Sequence, residues 1–145
     1  MKRKYWLFSG TLVLLGLIGS GPGVAPVLGD GHGKYNVPKA PEKFLAMKNP
    51  NTSEEDIKKG QRYYKSKCSE CHGEEGEGDP DDEEAVAFQN KDYMKTRSDG
   101  QLFYIAMYGA GKDSAMEAYG PESDAGMKEE RIWQIIAYIR TLAKD

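Results

Sequence analysis

The run Cys68-Ser69-Glu70-Cys71-His72 constrains this 145-residue chain more than any other feature. Two thiols three positions apart at the end of a helix lie on one side of it, with a histidine pinned directly behind the second. Cys68 and Cys71 are the only cysteines, and a tetrahedral zinc site would have nothing but the distant His32 to complete it. A disulfide or a thioredoxin-type redox pair suits an exported protein. The redox pair, however, needs alternating strands and helices, and no convincing strand pattern occurs. In exported proteins the pattern C-x-x-C-H marks covalent haem attachment. The spacing lets Cys68 and Cys71 form thioethers to the two vinyl groups of one haem c. His72 is then held beneath the iron with little freedom left to lose.

Export is read from the N-terminus. Met1-Lys-Arg-Lys is followed by an apolar run from Tyr5 to Ile18 and by the small residues Gly19, Ser20 and Gly21, the order found in a secretory signal. The run is shorter than the roughly 20 residues needed to cross a bilayer, so a cleaved signal over 1–29 is expected, ending near Val27 and Gly29; an uncleaved anchor is the alternative. No cysteine lies nearby to carry a lipid. Loss of 1–29 removes three of the 20 basic residues and none of the 23 acidic ones, which leaves 17 against 23 and a net charge of −6. So acidic a protein is unsuited to nucleic acid. The expected location is periplasmic.

From Asp30 to Asn51, glycines and prolines stand among charged residues, with Phe44, Leu45 and Met47 as apolar anchors, and the segment is read as an extended arm or linker. The remaining domain spans 52–145. Thr52-Ser53-Glu54-Glu55 offers a cap with a glutamate three residues on, and Ile57, Tyr64 and Cys68 share a face, which predicts a helix over about 54–68. The glycine-rich stretch 73–84 carries eight acidic residues and is expected to be a solvated loop, with a docking surface for a basic partner or a weak cation site as the functional alternatives. Ser98-Asp99-Gly100-Gln101 opens a second helix with Leu102, Ile105 and Ala106 as its stripe and Gly109 as its stop. After a loop over 109–127, Ile132, Ile135, Ile136, Ile139 and Leu142 predict a last helix over about 128–143. The fold class is therefore all-α.

An iron with one histidine has a sixth position to fill. The candidates are Met47, Met94, Met107, Met116, Met127 and His32. Met107 sits inside a helix, where a methionine is more often core packing. Met127 abuts the last helix, Met94 precedes the second, Met47 is in the arm, and His32 stands in a glycine-rich segment beside the expected new N-terminus. Met116 is centred in a loop bounded by Gly109, Gly111 and Gly120, long enough to drape over a haem face, and is the preferred ligand.

Three motifs in order resemble the class I monohaem cytochromes c, over Asn49 to Leu142. They are Gly60-x-x-x-Tyr64-x-x-x-Cys68-x-x-Cys71-His72-Gly73, Gly109-x-Gly111 leading to Met116, and Trp133-x-x-x-x-Tyr138-Ile139-Arg140. The resemblance implies three main helices around one covalently bound haem. It also implies that the first and last helices cross at a glycine flanked by aromatics, positions matched by Gly60, Tyr64 and Tyr138. It assigns Pro80 as the residue whose carbonyl receives the other N–H of the haem histidine. One departure is Glu117 after Met116, where the family often has proline.

The resemblance, in particular to small bacterial cytochromes, implies an electron carrier between redox proteins, with a periplasmic dehydrogenase, respiratory complex or oxidase as donor or acceptor. Two alternatives stand beside it. One is a fixed haem subunit of a larger oxidoreductase, with the 30–51 arm wrapping its partner. The other is a catalytic or gas-binding haem with an open sixth position, for which the sequence offers no obvious distal acid-base pair.

Overall fold

The computed structural model describes residues 37–82 and 85–144. The expected signal segment, its cleavage site and His32 lie outside these residues. The described residues form six helical segments: α1 (Glu42–Leu45), α2 (Glu54–Lys67), α3 (Ser69–His72), α4 (Lys91–Thr96), α5 (Asp99–Tyr108) and α6 (Glu129–Leu142). No strand is present among them, so the all-α expectation holds, and the three longest helices are the three expected from the sequence.

α2 is capped one residue later than the pattern suggested. Ser53 is the N-cap, its Oγ accepting from Asp56 N at 3.1 Å, while the Asp56 carboxylate accepts from Ser53 N at 3.3 Å. Asp56 also receives Gln134 Nε2 of α6 at 2.8 Å, a partner that no local pattern reveals. The hydroxyl of Ser53, then Gln134 and Asn51, lower the Asp56 carboxyl from its ordinary 3.8 to about 2. A carboxyl depressed on folding stabilises the native state above its unfolded pKa and loses that contribution as pH falls through the folded one. Acid titration should therefore show a loss of stability between about pH 4 and pH 2 that is absent in Asp56→Asn; an unchanged acid limb in that variant would remove Asp56 from the account.

α2 and α6 cross in van der Waals contact. A Cβ on Gly60 would overlap the Gln134 carbonyl, so only glycine lets the two backbones approach this closely. Beside the crossing Tyr64, fully buried, lies 5.3 Å from the ring of Tyr138 and 6.3 Å from that of Phe88. Its hydroxyl donates to the Gly73 carbonyl at 2.7 Å, which ties α2 to the backbone just after His72. α6 is buried on nearly all sides from Ile132 to Ile139, as expected of a helix with packing partners on opposite faces. Trp133 stacks on Phe103 of α5 with centroids 4.0 Å apart and planes 7° from parallel.

The arm differs most from expectation. From Val37 onward it is docked on its own domain, with α1 formed between Pro41 and Ala46. Phe44 packs against Phe103, Tyr104 and Tyr108 of α5. Asn49 Nδ2 donates to the Trp133 carbonyl at 2.8 Å. The few anchors in a charged, proline-rich segment are enough, because Phe44 meets the aromatics of α5, Met47 packs against the core and Asn49 holds the backbone of α6.

Candidate haem-binding site

α3 continues α2 after a break at Cys68, and this junction brings Cys68 and His72 to a cavity of about 290 Å³. Cys68 and His72 line it, together with Phe88, Tyr93 and the isoleucines of α5 and α6. Cys71 is exposed, and borders a smaller adjoining cavity of about 70 Å³ that Cys68, His72 and Met116 share. Burial, with the neighbouring Cys71 second, pushes the Cys68 thiol up to about 12, so a free Cys68 in this fold would be a poor nucleophile.

The His72 ring is fixed from two directions. It lies 4.6 Å from the Phe88 ring, and its Nδ1 is 3.1 Å from the Val86 carbonyl. A carbonyl only accepts, so Nδ1 carries the proton and Nε2 keeps its lone pair for a metal. Burial lowers the His72 pKa, opposed by the Val86 hydrogen bond and the charge of Asp82. The ring is thus held toward the neutral form that ligates.

Val86 replaces the residue that the resemblance implied. Pro80 is exposed among acidic residues, and its carbonyl does not take the His72 proton. The physical reason is polarity: Asp79 to Asp82 stay largely in water, whereas Ala85, Val86 and Phe88 are buried and bring their backbone under the histidine. The signal was present in the sequence as the apolar run Ala85-Val86-Ala87-Phe88 closing the acidic loop.

Met116 lines the same cavity as His72. Its loop is fastened at both ends. Ala110 N donates to the Met116 carbonyl at 3.0 Å, Tyr119 N to Ala106 O at 2.9 Å, and Tyr119 Oη to Lys67 O at 3.1 Å across to α2. Gly109 has φ 78°, a left-handed conformation that glycine adopts freely, and it lets the loop turn back so that the Met116 carbonyl passes beside it. Of the other methionines, Met127 also lines the cavity, while Met47, Met94 and Met107 do not. Met107 and Met94 are core residues, the Met107 sulfur packing under Gly120.

The Cys68 thiol, an imidazole with a free nitrogen and a thioether thus border a largely apolar cavity, with the Cys71 thiol at the adjoining one; the imidazole and thioether are donors suited to haem iron and the two thiols to its covalent attachment. Among the described residues no three of His, Cys, Asp and Glu gather as an alternative metal centre. The cytochrome c family model matches residues 57–143, well over half of the sequence. The chain belongs to the cytochrome c family. Its cofactor is accordingly covalently bound haem c with its iron, and its chemistry is haem-based electron transfer.

No curated protein matches the cytochrome by sequence. Among solved structures it is similar to cytochrome cL of the marine methylotrophic bacterium Methylophaga aminisulfidivorans, at 29% identity and TM-score 0.53, over 70% of this chain and 64% of that one. The cytochrome therefore spans less than two thirds of that protein. Cytochrome cL of Hyphomicrobium denitrificans shares the fold at 22% identity and TM-score 0.54, over 77% of this chain and 73% of that one. So does a component of a reducing HAO-like protein complex from Kuenenia stuttgartiensis, at 19% identity and TM-score 0.54, over 69% of this chain and 49% of that one.

Proposed function

We propose that this cytochrome is a periplasmic one-electron carrier, its haem bonded to Cys68 and Cys71 and its iron held between His72 and Met116. The placement of His72 and Met116 on one cavity carries the reading. When bound, the haem would supply a one-electron ferrous/ferric couple. The protein's own part is to hold it: Val86 orients His72, the Tyr119 and Ala110 hydrogen bonds seat Met116, and the isoleucines of α6 exclude water. Two protein ligands leave no position for a substrate, which favours a carrier over an enzyme. Ligation by the Met116 thioether and the His72 imidazole, together with burial, would favour the ferrous state and raise the potential. Electrons would pass at the exposed edge beside Cys71, to and from redox proteins met in small, transient contacts.

The second reading, a fixed subunit of a larger oxidoreductase, relied on the arm to wrap a partner. From Val37 onward the arm packs on its own domain, which favours the freely diffusing carrier. Among the described residues no helix is long and apolar enough to cross a membrane.

The deciding experiment is the absorption spectrum of Met116→Ala beside Met127→Leu, both matured with haem. The far-red thioether-to-iron band of the ferric protein should vanish in the first and persist in the second, and cyanide should then bind the first at least about tenfold faster. A band that survives in Met116→Ala would overturn the assignment of the sixth ligand; an absent band in the unaltered protein would favour an open iron and a catalytic or sensing role.

A further inference from the structure

The arm contributes to the haem pocket itself. Val37 lines the haem cavity, although it stands 20 residues before the first residue of the family match at 57. A half-buried valine at the start of a segment with few apolar anchors would not hold such a place unaided. The segment is held by Gln101 of α5, which is only 3% exposed. Its Oε1 accepts the Ala40 N–H at 2.8 Å and its Nε2 donates to the Pro38 carbonyl at 2.8 Å. Both polar ends of a buried amide are thus spent on the backbone of the arm, and loss of either would leave a buried group unsatisfied. Four residues after Ala40, the arm presses against α5 so closely that a Cβ on Gly100 would overlap the Phe44 carbonyl.

We infer that Val37 forms part of the wall of the haem pocket, held there by residues 38–47 with Gln101 as the positioning residue that latches them, and that Val37 helps set the reduction potential by keeping water and charge from the haem. Ferric haem carries one more positive charge than ferrous, so an apolar wall favours the ferrous form and a carboxylate in its place favours the ferric. The inference requires only that haem fills the cavity; it does not depend on which residue is the sixth ligand or on who the redox partners are.

The test uses the full haem-loaded protein with Val37→Asp, Gln101→Leu and, as a control for charge alone, Ala46→Asp at an exposed position of the same segment. Val37→Asp should shift the one-electron equilibrium with a reference carrier toward the oxidised form by about threefold or more, and Ala46→Asp by clearly less. Gln101→Leu should shift it in the same direction and abolish hydrogen-exchange protection at the Ala40 amide, with helix content and the haem spectrum retained. Equal potentials in Val37→Asp and Ala46→Asp, or full Ala40 protection in Gln101→Leu, would overturn the inference. If Gln101→Leu does not fold, the comparison of the two aspartate variants decides alone.

Discussion

Gly60→Ala should destabilise the haem-loaded cytochrome by about 3 kcal/mol, seen as a drop of roughly 15 °C in its melting temperature. On a bare helix the same change would be stabilising, because alanine is the better helix former by about 1 kcal/mol. Tertiary contact reverses the sign: the new methyl would overlap the Gln134 carbonyl, and backbone on both sides gives it no flexible side chain to displace. α2 and α6 would have to separate, loosening Tyr64 against Tyr138 and the tie from Tyr64 to Gly73 just behind the haem histidine. Lys58→Ala, on the exposed side of the same helix, is the control and should fall within about 0.5 kcal/mol of the parent. A Gly60→Ala variant as stable as that control would mean that the helices can move apart freely.

Replacing Arg140 is expected to have the next largest effect, about 2–3 kcal/mol for Arg140→Met in a urea titration. Its guanidinium joins three segments: Nε meets Asp99 Oδ1 at 2.8 Å, Nη1 the Met94 carbonyl at 2.7 Å, and Nη2 the Arg97 carbonyl. Asp99 in turn accepts from Asn49 N at 3.3 Å, so the arm shares the same hub. Arg140→Met leaves two carbonyls without this donor and the part-buried Asp99 carboxylate without its cation, and the removal of one partner costs more than the pair is worth. Lysine should recover less than half of the loss, since an ammonium keeps the charge but cannot reproduce the planar fork. Asp99→Asn combined with Arg140→Met should cost less than the sum of the two single changes. Strict additivity in that cycle would show that the two side chains do not act as a unit.

Both predictions concern residues whose importance was partly legible beforehand. Gly60 and Arg140 fall within motifs that the sequence displays, and the glycine crossing is found where the resemblance placed it. The partners of Arg140 were not legible, because they come from 41 to 46 residues away and two of them are backbone carbonyls with no side-chain signature. Gln101 is a sharper case. Its position at the start of α5 reads as part of a cap, and Ser98 does cap that helix through Gln101 N. Its side chain, however, reaches Pro38 and Ala40 over a separation of more than 60 residues. The arm's composition of glycine, proline and charge points to a linker for the same reason: the few contacts that dock it are made by α5 and α6, not within it.

What the sequence by itself determined is what covalent geometry and short-range periodicity control. The C-x-x-C-H spacing singles out Cys68, Cys71 and His72, the 3.6-residue period marks α2, α5 and α6, and serine caps open α2 and α5 within a residue of expectation. Tertiary structure alone decided which carbonyl faces His72, which methionines border the cavity, and whether the arm is free or docked. Those outcomes depend on which distant segments bury together, and burial is settled by the whole molecule. Pro80 therefore stays in water with its acidic neighbours, while Val86 is drawn beneath the histidine by the apolar residues around it.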